Sequence, residues 1–277
     1  MNLKPVFYTF TLVMTLSISH AATLEADYQL QGTLDSSVGG IPPLNYPIGT
    51  PNYVIDTVDG QSRQVLDVPP GSGPQAVLNG FVSSNNYSVV LLASFPLQAA
   101  VATKLMDFKD LTSDSGLYIN NGLLDFYDET GSTIALGGQP LLTNGYGQIV
   151  ITRDEATDLT SVYVNGAPAF SFTDTSDLAV VSNTNTTDNL LTFFTDDHAG
   201  LGAPEDTTGN IARIRLYDGV LTPEQVAALD RVEPVPEPTC LSLALAGGIL
   251  ATAIRSRMKR SRKEYATVKQ QDYTLLS

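Results

Sequence analysis

The 277-residue chain has a single cysteine, Cys240, no tryptophan and only two histidines. One thiol closes no intramolecular disulfide, so stability must come from packing, with or without a bound cation. His20 falls in an N-terminal apolar stretch considered below, which leaves His198 alone. A Ser-His-Asp triad or a histidine-rich zinc site therefore has little to be built from. Basic residues are scarce too: 15 Lys and Arg stand against 29 Asp and Glu, a net charge of −14. The imbalance is steeper between Ala22 and Pro238, which hold 27 acidic and seven basic residues, net −20. Without a basic stripe to neutralise phosphates, nucleic acid is disfavoured as a partner. Solubility and the binding of divalent cations are the two readings of such charge.

No apolar run reaches the roughly 20 residues of a full membrane span. Two shorter runs sit at the ends of the chain. Lys4 precedes an apolar stretch from Pro5 to Ile18, and Ser19-His20-Ala21 places small residues where a signal peptidase reads. Residues 1–21 are therefore expected to be a signal peptide, cut after Ala21. At the other end, Val235-Pro236-Glu237-Pro238 is followed by uncharged residues from Thr239 to Ile254. A basic cluster then contains Arg255, Arg257, Lys259, Arg260, Arg262 and Lys263. As a helix the uncharged segment spans roughly 24 Å, short of the hydrocarbon core, and Gly247-Gly248 loosens its middle. Such a segment suits a thin or transient anchor. The positive-inside rule keeps residues 255–277 in the cytoplasm and puts the acidic domain outside.

This order of motif, apolar segment and basic stop resembles the PEP-CTERM sorting signal. The resemblance implies an exosortase, a membrane-embedded cysteine protease, as partner. It also implies passage through the inner membrane, transient anchoring by an apolar helix over 239–254, and delivery to the cell surface or matrix. An ordinary single-pass anchor is the alternative, and Glu264 to Ser277 extends beyond the usual end of such tails. Cys240 reads as a small apolar residue of the anchor.

The intervening 209 residues, 22–230, suffice for one domain with a sizeable core. Their periodicity is that of strands. Tyr87 to Phe95 is apolar on both faces, as a central strand would be. Leu117–Asn120 and Leu123–Tyr127 flank Asn121-Gly122, the pair that best supplies a type I′ hairpin turn. Ser161–Val164 and Ala167–Thr173 flank Asn165-Gly166 in the same way. Gln148–Thr152, Leu190–Thr195 and Asn210–Tyr217 add further short strands, and the spacing argues for a β-sandwich. Thr222-Pro223-Glu224-Gln225 predicts one short helix to about Asp230, with a threonine N-cap, Pro at N1 and a capping box. Leu221 and Val226 form its hydrophobic staple. The Pro- and Glu-rich segment 231–238 reads as a stiff linker.

Gly116-Leu117-Tyr118, Val162-Tyr163-Val164-Asn165-Gly166 and Gly209 to Asp218, followed by Leu221-Thr222-Pro223-Glu224-Gln225-Val226, resemble the laminin-G or concanavalin A-like jelly roll. The resemblance covers most of residues 25–230. It implies an all-β, two-sheet antiparallel sandwich, and a function of binding glycans or proteins or, in some members, of hydrolysing polysaccharides. Hydrolases of this fold usually carry a Glu-x-Asp-x-x-Glu strand motif. No such spacing occurs here, where Glu25, Glu129, Glu155, Glu205 and Glu224 lie far apart.

The expectation is thus a binding protein, not an enzyme, whose partner is an exopolysaccharide or another envelope glycan. A structural matrix protein and, less favoured, a glycan hydrolase or lyase are the alternatives. Ca²⁺ is the candidate cofactor. Asp196-Asp197 follow a strand and Glu205-Asp206 lie across a Gly-containing loop, so these four hard ligands can converge at one edge. A solvated acidic loop is the other reading. Tyr46, Tyr53 and Tyr146, placed in loops, are the candidate aromatic platform for a sugar ring.

Overall fold

The structure, a computed structural model, describes residues 21–95, 102–140, 145–182, 188–197 and 205–232. The expected signal peptide, up to residue 20, and the expected sorting segment with its apolar helix lie outside these residues. Among the described residues no helix is long and apolar enough to cross a membrane.

The first half of the domain runs through β1 (Thr23–Tyr28), β2 (Asn52–Val58), β3 (Gln61–Val68), β4 (Gln75–Val77), β5 (Tyr87–Ser94), β6 (Thr103–Asp107) and β7 (Gly116–Asn120). It continues through β8 (Leu123–Tyr127), β9 (Thr133–Pro140), β10 (Gly147–Asp154), β11 (Leu159–Val164), β12 (Ala167–Thr173), β13 (Leu190–Phe193), β14 (Gly209–Asp218) and α1 (Pro223–Ala227). Two antiparallel sheets result. The larger is ordered β12-β11-β10-β5-β14-β3-β2, with β1 also pairing β14; the smaller is β4-β13-β6-β7-β8-β9. The expected all-β two-sheet sandwich is thus observed.

Period-2 alternation explains the division of each strand. In β5 the residues Tyr87, Val89, Leu91 and Ala93 face the main core, while Val90 and Leu92 belong to two separate clusters on the other side. Both faces of the larger sheet are therefore covered, which is why this strand reads as a continuous apolar run. Within the core the rings of Tyr87, Phe108, Phe126 and Phe172 form a chain, with centroid separations of 6.4, 5.7 and 4.8 Å. Each such buried side chain contributes about 1.5–3 kcal/mol.

Both Asn-Gly turns form as expected: Asn121 and Gly122 have φ of 51° and 76°, Asn165 and Gly166 of 50° and 82°. A third turn of this type, Asp59-Gly60, joins β2 to β3 with φ of 51° and 80°. Helix α1 has the full capping box: Gln225 N–H donates to Thr222 Oγ1, and Thr222 N–H to Gln225 Oε1. Leu221 and Val226 pack with Val90, Val150, Tyr163 and Tyr217 on the outer face of the larger sheet.

The helix is shorter than its sequence suggests, ending at Ala227 rather than near Asp230. Ion pairing is the reason. Arg213 grips Asp27 with two bonds, 2.7 Å from Nε and 2.8 Å from Nη2, and reaches Asp230 with Nη1 at 2.7 Å. Arg215 Nη1 donates to the same Asp230 carboxylate at 2.8 Å. The chain beyond α1 is thereby drawn onto the sheet. Residue 231 is not yet linker: Arg231 donates to Asp59 at 2.8 Å and to Asn165 at 2.6 Å, and Val232 packs against the third cluster.

Replacing Arg213 with Met leaves the Asp27 carboxylate, 3% exposed, without its main partner. Urea unfolding of this variant is expected to show a loss of about 3–5 kcal/mol. A loss below about 1 kcal/mol would mean that the clamp is dispensable.

Candidate functional site

Directly opposed residues of antiparallel strands project from the same face of a sheet. On the outer face of the smaller sheet the register aligns one row, Lys104, Tyr118, Asp125 and Leu136, across β6 to β9. A second row comprises Thr192, Asp107, Gly116, Tyr127 and Thr133 across β13 to β9. Gly116 occupies the middle for a steric reason. A Cβ there would come within 2.6 Å of the Met106 carbonyl, while meeting Lys104 and Tyr118 at ordinary contact distances of 3.4 and 3.5 Å. Tyr118 and Tyr127 stack at 4.5 Å and 18° beside this gap. Asn120 donates from its amide to Asp125 Oδ2 and to the Tyr127 hydroxyl, both at 3.1 Å.

One end of this face is roofed and the other is open. At the roofed end Lys104 is fully buried, its ammonium bonded to Asp107 at 3.0 Å, Asp196 at 3.1 Å and the Ser113 carbonyl at 2.9 Å. The same ammonium lies 5.3 Å from the Tyr118 ring centroid, a cation–π contact. Burial alone pulls a lysine pKa down, but Asp107 and Asp196 outweigh it and the group stays charged. At the open end Leu136 is 60% exposed and Ile134 is 39% exposed.

The four expected cation ligands gather at the roofed end, although they are not equivalent. Phe194, in the left-handed region at φ 64°, turns the chain after β13 and brings Asp196 and Asp197 back over the sheet. Asp196 accepts bonds from Tyr118 at 3.2 Å and from the Glu205 backbone at 3.0 Å, besides pairing with Lys104. Asp206 Oδ1 accepts the Asp196 N–H at 2.9 Å, so it braces the loop. Asp114, which sequence reasoning did not single out, joins Asp196 and Asp197: one carboxylate oxygen of each lies within 4.8 Å of the others. Burial, together with Asp196 and Asp114, pushes Asp197 up to about 6 against the opposing effect of Lys104. Glu205 is raised by burial and by the same two aspartates. His198 lies outside the described residues.

The three tyrosines do not form one platform; Tyr46 and Tyr146 lie in loops as expected, and Tyr53 does not. Tyr53 belongs to β2 and packs, half-buried, with Tyr46 against the main core; Tyr46 OH also bonds Ser72. Tyr146, immediately before β10, belongs to the outer cluster of the larger sheet, is 5% exposed, and donates to Asp56 Oδ2 at 2.8 Å. Its ring is closed to a stacking ligand. The aromatic residues of the polar rows, Tyr118 and Tyr127, were missed, although alternation on either side of Asn121-Gly122 places them with Asn120 and Asp125 on one face.

Residues 99–227 match the family model of the concanavalin A-like lectin/glucanases superfamily. A search of curated proteins found no match. Among solved structures the chain is similar to domain 4 of a GH43 extracellular arabinanase from Geobacillus stearothermophilus, determined in complex with arabinotriose. The TM-score is 0.52 at 22% identity, over 76% of this chain and 98% of that one. The botulinum neurotoxin serotype D binding domain is similar at TM-score 0.51 and 15% identity, over 74% of this chain and 51% of that one. The binding domain of Paraclostridial Mosquitocidal Protein 1 gives 0.52 at 13% identity, over 74% and 51%. The chain thus spans about half the length of those two toxin domains. At these identities the likeness is one of fold.

Asp197 makes the domain's stability pH-dependent. Its folded pKa of about 6 exceeds the ordinary 3.8, so the folded state holds the proton more tightly. Its contribution is fully favourable below about 4 and is lost as pH rises through about 6. In calcium-free buffer Asp197→Asn is expected to be about 1–2 kcal/mol more stable than wild type at pH 7, with the difference closing toward pH 4. Parallel stability profiles for the two proteins would show that Asp197 is not the group responsible.

Proposed function

We propose that this is an exported, non-catalytic envelope or matrix protein that binds a glycan on the outer face of its six-stranded sheet. The observation that carries the reading is the make-up of that face. Exposed Leu136 and Ile134 and the amide of Asn120 lie beside the rim of Tyr127, 9% exposed and backed by the fully buried ring of Tyr118, so apolar surface and fixed polar groups meet at this edge. The similar arabinanase domain was determined with arabinotriose, which supports a saccharide as ligand. Half-buried Tyr46 and Tyr53 are a second place where a sugar ring can rest.

Calcium has a structural part in this proposal. Asp114, Asp196 and Asp197 supply the convergent carboxylates, Glu205 stands beside them, and Asp206 holds the loop. Burial first, and the neighbouring carboxylates after it, raise Asp197 and Glu205, and a divalent cation would offset the charge of those carboxylates. Localisation rests on the tail. Val235 to Pro238, the apolar segment and Arg255, Arg257, Lys259 and Arg260 support exosortase-type sorting after export.

Incubation of the protein with exopolysaccharide from its own host tests the function. Retention with unchanged polymer length is expected, weakened about tenfold in Tyr127→Ala. Shortened polymer would make the protein a hydrolase or lyase, and no retention would favour a purely structural role. Loss on Tyr46→Ala or Tyr53→Ala instead would relocate the site.

Millimolar Ca²⁺ is expected to raise the melting temperature of wild type but not of Asp114→Asn or Asp197→Asn. A wild type equally stable in calcium and EDTA would remove the cation from the proposal. The intact mass of the envelope-bound protein should correspond to a chain beginning near Ala22 and ending near Pro238. A chain that keeps Glu264 to Ser277 would identify a plain anchor.

A further inference from the structure

The seven basic residues between Ala22 and Val232 are all enclosed or tied down. Arg63, Lys104, Arg153, Arg213 and Arg215 are each 8% exposed or less. Lys109 donates to the carbonyls of Asp177 and Val180 and to Ser182, while Arg231 is held by Asp59 and Asn165. The charge that this domain turns outward is carried by carboxylates.

On the glycan face one carboxylate stands apart. Asp125 is 1% exposed, and its Oδ2 accepts the Asn120 amide at 3.1 Å. Its Oδ1 has no hydrogen-bond partner. A carboxylate oxygen stripped of water and given no donor is costly, and buried polar atoms are nearly always paired. The strand register sets Asp125 between Tyr118 and Leu136, next to the open end of the face. It is the one acidic member of the row that crosses from the roofed end to the exposed edge.

We infer that Asp125 determines ligand specificity: its free Oδ1 accepts a hydrogen bond from a sugar hydroxyl, so the face takes uncharged glycans and turns away those bearing carboxylate or sulfate. The inference rests on the glycan-binding reading above and deepens it. A hydroxyl donates to a carboxylate in a short, charge-assisted bond. An ionised uronate or sulfate has no proton to give there, and its charge meets the desolvated carboxylate of Asp125 at close range. Leu136, the strand partner of Asp125 and 60% exposed, offers apolar surface to the C–H face of the ring.

The test uses the full chain and host exopolysaccharide separated by anion exchange into neutral and acidic fractions. Wild type is expected to be retained by the neutral fraction and to pass the acidic fraction at low salt. Asp125→Asn should weaken neutral retention about tenfold. The same variant should melt about 2 °C or more above wild type without glycan, because a desolvated charge has been removed. A merely structural Asp125 would lower both quantities together or leave binding unchanged. Retention on the acidic fraction, or equal binding by Asp125→Asn, overturns the specificity while leaving glycan binding in place. Retention on neither fraction overturns both.

Discussion

A buried ammonium has to be met by carboxylates, and the enclosure of Lys104 organises the region where function is proposed. Asp107 and Asp196 reach it from either side, and the Ser113 carbonyl closes over it. Asp107 spends its other oxygen on the backbone N–H groups of Lys109 and Leu111, at 3.0 and 2.8 Å. These bonds hold Leu111 at φ 56°, a conformation that a leucine adopts only when its surroundings impose it. One cation thus fixes the loop after β6 and the turn after β13, which carry Asp114, Asp196 and Asp197. Removing Lys104 would leave the buried carboxylates of Asp107 and Asp196 without their shared cation.

The same economy governs positive charge across the domain. Arg153 is buried among Asp174, Asp177 and the Asn85 carbonyl at one end of the sandwich, and Arg213 and Arg215 clamp Asp27 and Asp230 near the other. These cations act as internal ties between distant parts of the sequence, doing the mechanical work that disulfides do in many exported domains. The acidic groups left over populate the surface. Buried Arg63, Lys104, Arg153, Arg213 and Arg215 are matched by buried Asp27, Asp107, Asp125, Asp174, Asp196 and Asp197, so the exterior keeps nearly all of the domain's net negative charge.

The sandwich was legible wherever local chemistry decides structure. Two Asn-Gly turns, the apolar run of β5 and the capping box of α1 each have a local cause, and each is found where that cause lies. Strands β2 and β3 were missed although Asp59-Gly60 carries the same turn signal, because the flanking residues alternate too weakly: β2 is an edge strand with Ile55 68% exposed. Asp230 and Arg231 were assigned to helix and linker because their partners, Arg213, Arg215, Asp59 and Asn165, are remote in sequence. The site was half legible. Adjacent acidic pairs pointed to the roofed end, but Asp114 arrives from a loop some 80 residues earlier, and only the fold brings it there.

Whether such a face binds or cuts depends on which carboxylates are free. Glycoside hydrolysis requires two, one on each side of the scissile bond, with one available as acid. Asp107 is bound to Lys104 and to two backbone N–H groups, and Asp196 to Lys104, Tyr118 and the Glu205 backbone. Both are committed to the architecture. Asp197 and Asp114 lie within one cluster rather than across a groove, at a spacing that suits a shared cation better than a sugar between them. Within strands β7, β8 and β9 the acidic residue is Asp125, and its directly opposed partners, Tyr118 and Leu136, carry no carboxylate. A single acceptor beside the rim of Tyr127 can orient a hydroxyl, whereas an acid–base reaction needs two groups in complementary protonation states.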